Sequence, residues 1–186
     1  MNGHHLILGR LTDYISGRIV DDTLDERYRQ HIGRLLVEEK GFAKSEITPR
    51  YELTFEVDHR CARLWVTYTV TLGHQIGMIL HFGPGSLVTR HRPVLAMARL
   101  VADYQVPVVV VTNGEQADIL EGESGRQLTS GLAMIPDRDQ LAAICGQWSW
   151  PSISKRRAER EARILMAYEV DDRCPCDDSV CTTESK

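Results

Sequence analysis

The chain has 186 residues, a formal charge of −4 and 42% hydrophobic residues, enough length and apolar content for one sizeable core. Mild acidity excludes a general nucleic-acid coat protein, which needs Lys and Arg clustered over its surface, but leaves a local basic patch open. No apolar stretch approaches the ~18 residues that span a bilayer.

The opening stretch, "MNGHHLILGRLTDY", has no basic segment followed by an apolar run of the signal-peptide kind. The expected compartment is therefore the cytoplasm, with the five cysteines as free thiols or metal ligands rather than disulfides. Residues 1–22 read as an N-terminal extension. "TLDERYRQHIGRLLVEEKGF" reads as a helix: Thr23 and Glu26 form a capping-box pattern, Leu24, Tyr28, Ile32 and Leu35 share a face, and Gly41 stops it. "YELTFEV", residues 51–57, alternates as a half-buried strand does. "RLWVTYTVTL" (63–72) is β-branched and aromatic, and "QIGMILHF" ends a third strand, expected over 76–82, that is apolar on both faces. Short connections at Asp58-His59-Arg60 and Gly73-His74 predict a meander.

A Gly83-Pro84-Gly85 turn follows, then the basic triplet Arg90-His91-Arg92, then a helix expected from Pro93 to Tyr104 with the proline in its first turn. "VPVVVVT" is the clearest strand, predicted over 107–112, and "QADILE" a shorter one after Asn113-Gly114. "DRDQLAAI" starts a helix capped by Asp137, and "SISKRRAEREARILMAYE" is a final charged helix. The predicted class is α/β: helix, three-strand meander, helix and strand over 23–146, with an added hairpin, then a C-terminal helix and Cys-rich tail over 147–186.

That order, with "LLVEEKGFAKSEI", "LWVTYTV", "MILHFGPGSLVTR" and "VPVVVVTNGEQADILE" in sequence, resembles the N-terminal domain of type I restriction enzyme R subunits over roughly residues 23–140. The resemblance implies the restriction-endonuclease-like fold of the PD-(D/E)xK superfamily. Active members hold Mg²⁺ with an Asp on the second strand and a Glu on the third. A Lys two residues later helps position the nucleophile, and an acid on the first helix often adds to the site. A hard cation needs carboxylate oxygens to polarise phosphate and acidify the attacking water. Here the Asp position falls at or beside Thr67, the Glu and Lys positions fall near Ile79 to His81, and Glu38 (or Glu39) is the acid left on the first helix. Glu38, Thr67 and His81 are thus vestigial catalytic positions, and Mg²⁺ is not expected. Each also has an ordinary reading, as a solvated charge, a β-branched strand residue and a hydrogen-bonded histidine.

Two further groups could carry a function. Arg90, His91 and Arg92, placed just before a helix start, could meet an anion at the backbone N–H groups. Lys155, Arg156 and Arg157 could do so on the last helix, against a reading as a solvated face with intrahelical ion pairs. In "CPCDDSVC", Cys174, Cys176 and Cys181 offer three soft ligands for zinc or an iron-sulfur cluster, one short of the usual four. Cys145, Cys61, a histidine or a partner chain would have to complete such a site. Three expectations result: an inactive nuclease-like domain that binds DNA or a protein partner, a metal-dependent endonuclease with an altered site, or a metal-carrying module.

Overall fold

A computed structural model describes residues 6–171. The first elements are a two-stranded ribbon, β1 (Gly9–Thr12) and β2 (Ile19–Asp22). Helix α1 (Leu24–Arg34) follows and runs into a π turn, Leu35–Glu39. The Thr23 hydroxyl caps α1 by accepting from the Glu26 N–H at 3.1 Å. The return half of the expected capping box is missing, because the Glu26 side chain turns inward instead.

The meander comprises β3 (Ile47–Val57), β4 (Arg60–Leu72) and β5 (Gln75–Phe82), paired antiparallel as predicted. Helix α2 (Leu87–Leu100) then carries the chain back so that β6 (Val108–Thr112) lies parallel to β5. Strands β7 (Ala117–Glu121) and β8 (Gln127–Ser130) complete one mixed sheet in simple sequence order, β3 to β8. Two helices close the described chain: α3 (Arg138–Gln147), with Asp137 and Gln140 in a reciprocal capping box, and α4 (Lys155–Leu165), continued by a π turn, Met166–Asp171.

Helices cover both sheet faces. Val94, Ala96, Met97 and Ala98 of α2 and Ala162 and Leu165 of α4 pack with Leu64, Val66, Ile79, Val109 and Val111. On the opposite face Ile32, Leu35, Leu36 and Leu141 pack with Tyr68, Val70, Met78, Leu80, Val108 and Val110. Val108 to Val111 are at most 1% exposed, the burial on both faces expected of a parallel strand between helical layers.

A larger expectation also fails. Helix α2 starts at Leu87, six residues before the predicted Pro93, so Pro93 lies inside it. Ser86, with φ −73° and ψ 127°, already has N-cap backbone geometry, and burying the apolar run Val94–Ala98 outweighs the hydrogen bond the proline lacks. The helix accordingly ends at Leu100 rather than Tyr104, whose hydroxyl instead accepts the Ile76 N–H at 2.6 Å. Among the described residues, no helix is long and apolar enough to cross a membrane.

Candidate functional site: an arginine-lined cleft

The site begins as a defect in the sheet. Pairing of β3 with β4 runs from Ile47–Val70 to Val57–Arg60 but skips Arg50 and the facing Thr67. Arg50 has φ +50°, a conformation that side-chain-bearing residues avoid and that costs about 1–3 kcal/mol. Alternation breaks there in both strands: Leu64 and Val66 pack on one face of the sheet, Tyr68 and Val70 on the other. Pairing of β4 with β5 also stops beyond Tyr68–Leu80. The Phe82 N–H is met instead by the Thr67 hydroxyl, at 3.0 Å. The two strands therefore diverge, and a cleft of about 520 Å³ opens between them.

Trp65 and Thr67 of β4 and His81, Phe82, Gly83 and Pro84 at the end of β5 line this cleft. Three arginines reach it from three other elements: Arg29 from α1, Arg50 from β3 and Arg90 from α2; Tyr168 and Glu169 come from the last π turn. The Gly83-Pro84-Gly85 turn has a steric reason. A Cβ on Gly83 would lie 2.7 Å from Arg90 Nε, so only glycine lets that guanidinium lie across the turn.

Carboxylates hold the arginines from behind. Arg50 donates to Glu26 at 2.6 Å and to Asp13 at 3.2 Å, Arg29 to Glu26 at 3.4 Å, and Arg90 lies 3.9 Å from Glu169. Gln30 joins the two acids, donating to Asp13 at 2.7 Å and to Glu26 at 2.8 Å. Burial alone would raise the Asp13 pKa, but the Ser16 N–H and hydroxyl, Gln30 and Arg50 outweigh it and hold the carboxyl below its ordinary value. Burial likewise opposes charge on Arg50, and the Glu26 and Asp13 carboxylates more than offset it. Asp13, Glu26 and Glu169 are buried, whereas the three arginine side chains are 32% to 37% exposed. The charge that solvent meets in the cleft is therefore mainly guanidinium, with Glu169 the one carboxylate in the lining.

The candidate residues from the sequence separate. Thr67, His81 and Arg90 converge on the cleft. Glu38 does not line it; it is exposed, accepts from the Tyr14 hydroxyl at 2.9 Å and lies 3.7 Å from Arg34. Arg90, His91 and Arg92 do not stand before a helix start but inside α2, so backbone N–H groups there are committed and the expected anion site at that position is lost. The helical twist sends the three apart: His91 meets Asp118 at 2.7 Å, and Arg92 is paired with Glu161 at 2.5 Å. Arg157 lies 3.8 Å from Glu161 and donates to the Glu123 carbonyl. Glu161, on the last helix whose charges were expected to form a solvated face, is buried between α2 and α4. Arg156 is exposed, and Lys155 lines a separate groove with Glu56, Asp58 and His59. Cys174, Cys176 and Cys181 lie outside the described residues.

Sequence reading missed Asp13, Glu26, Arg29, Arg50, Trp65 and Tyr168. Two signals were present: Pro49 within a strand marks a weak point in the ladder, and Trp65 stands on the outward parity of "LWVTYTV".

The residues do not fit Mg²⁺. Thr67 and His81 face three guanidinium groups, Glu169 is the one carboxylate lining the cleft, and Ile79 and Leu80 are fully buried in core on opposite faces. Among the described residues, no cluster of three or more His, Cys, Asp or Glu could hold a metal ion.

No curated protein matches the chain, and no solved structure does. The family model of the type I restriction enzyme R protein N terminus matches residues 24–136, well over half of the sequence. The match spans α1, the complete mixed sheet and α2, though not the last π turn that brings Tyr168 and Glu169 to the cleft, and by it the chain belongs to the type I restriction enzyme R protein N-terminal family.

Proposed function

We propose that this chain is a restriction-endonuclease-like domain that has exchanged metal-dependent cleavage for phosphate binding, and that it holds nucleic acid at the arginine-lined cleft. The observation that carries the reading is the charge arrangement: exposed faces of Arg29, Arg50 and Arg90, with the acids Asp13 and Glu26 buried behind them and Glu169, largely buried, the one carboxylate in the lining. Such backing fixes the guanidinium groups before a ligand arrives and reduces the rotamer entropy lost on binding. In the family's nuclease relatives the same location would need acids, because a metal ligated there must be held by oxygen anions. Arg50 occupies the ground between Asp13 and Glu26 that a cation would otherwise neutralise.

The test is a pair of measurements on purified protein. Binding of a short labelled oligonucleotide should be detectable at low salt and weaken steeply as salt rises, since phosphate contacts release counterions. Plasmid and single-stranded DNA should stay intact with Mg²⁺ or Mn²⁺. Metal-dependent cleavage that a Thr67→Ala or His81→Ala change abolishes would establish the altered-site endonuclease instead.

A further inference from the structure

Two aromatic rings stand at the cleft with no duty in the core. Trp65 of β4 is 41% exposed and Tyr168 of the last π turn 57% exposed, and both line the same cavity as the arginines. A large ring left in water beside fixed positive charge is the arrangement that holds an unstacked base next to its phosphate. Building on the phosphate-site reading above, we propose that the cleft takes one unpaired nucleotide of a single-stranded nucleic acid. The base stacks on Trp65 with Tyr168 beside it, and the phosphate meets Arg50 and Arg90.

Three features favour an unpaired nucleotide over duplex. The cavity, about 520 Å³, lies in the range of pockets that enclose one small ligand. A duplex keeps its base faces stacked inside and has none to offer an indole, whereas every unpaired base has one. With the arginines given to phosphate, few groups are left to read a base edge, and the Thr67 hydroxyl, which accepts from the Phe82 N–H, keeps its O–H and one lone pair for that. Stacking therefore carries the affinity, and base preference is weak.

Binding is read by fluorescence anisotropy with three probes of about a dozen nucleotides: oligodeoxyuridylate, oligouridylate and a blunt DNA duplex. Wild type is compared with Trp65→Ala, Trp65→Phe, Tyr168→Ala and Arg90→Ala, each checked for unchanged melting. Single strands should bind about tenfold or more tighter than duplex, the worth of one stacked base. Trp65→Ala should lose about that factor, and Trp65→Phe should keep most of it because a ring remains. The two single-stranded probes assign the sugar. Equal affinity for single strand and duplex, with Trp65→Ala neutral and Arg90→Ala weaker, overturns the stacking inference and leaves the phosphate site standing. Failure of all three probes to bind overturns both.

Discussion

Two buried charge networks in this molecule are built from the same residue types and reach different ends. One gathers Arg50, Arg29 and Gln30 around Asp13 and Glu26 beneath the cleft. The other gathers Arg92, Arg99 and Arg157 around Glu161, between α2 and α4. In the second, Arg99 is itself buried and donates from its other terminal nitrogen to the Glu123 carbonyl at 2.9 Å. Arg99 there faces protein, while Arg92 and Arg157 reach solvent from either side of the acid, and the network joins two helices. Beneath the cleft the acids face protein and the guanidinium groups face a cavity. Neither burial of the acids nor exposure of the guanidinium groups thus marks a site; convergence of those groups on one cavity does.

The largest expected effect lies in the helix seam. Glu161→Ala strands buried Arg99, and breaking a buried pair this way costs about 3–5 kcal/mol. Chemical denaturation should register that loss, while nucleic-acid affinity per folded molecule stays at the wild-type value. Loss of affinity in a still-folded Glu161→Ala protein would merge the two networks into one.

Arg50→Ala should lower both quantities. It leaves Asp13 and Glu26 buried with fewer donors, a cost of about 2 kcal/mol after discounting for the exposure of Arg50. It also removes a guanidinium from the cleft, so oligonucleotide binding should fall by about tenfold or more. Stability lost without affinity would place the ligand elsewhere.

Arg90→Ala separates the two effects more cleanly. Its ion pair with Glu169 is long and partly solvated, 3.9 Å, so stability should change by less than about 1 kcal/mol. Affinity at low salt should drop about tenfold, and the salt dependence should flatten by about one phosphate contact.

The smallest effect is on pH. The folded pKa of Asp13 lies below its ordinary 3.8, so near that value the native state binds fewer protons than the unfolded chain. Its contribution to stability is full above about pH 4 and is lost as pH falls through the lower folded value. Acid denaturation of Asp13→Asn should lack this part of the acid limb, its midpoint shifting less with pH than that of wild type. Parallel acid limbs would remove Asp13 from the network's energetics.

Much of the fold was legible in the chain because it rests on local periodicity. Strict alternation in 51–57, the continuous valines of 108–111, and the caps at Thr23 and Asp137 each appear where predicted. A family resemblance read from the order of those segments is matched over residues 24–136. That the third strand, "QIGMILHF", carries no carboxylate was also visible, since identity at a position needs no coordinates. Helix α2 was misplaced because Pro93 is a local signal and the burial of Val94 to Ala98 is not.

The sequence by itself determined which residue types stand on each strand, Thr67 and His81 among them. Tertiary structure alone decided that Arg29, Arg50 and Arg90, from three separate elements, share one cavity with Trp65 and Tyr168. It also decided that Arg90, His91 and Arg92, adjacent in sequence, serve three different places. The physical reason is the helical twist of about 100° per residue, which turns neighbours apart, and the broken pairing at Arg50 and Thr67, which opens the sheet where distant residues can meet.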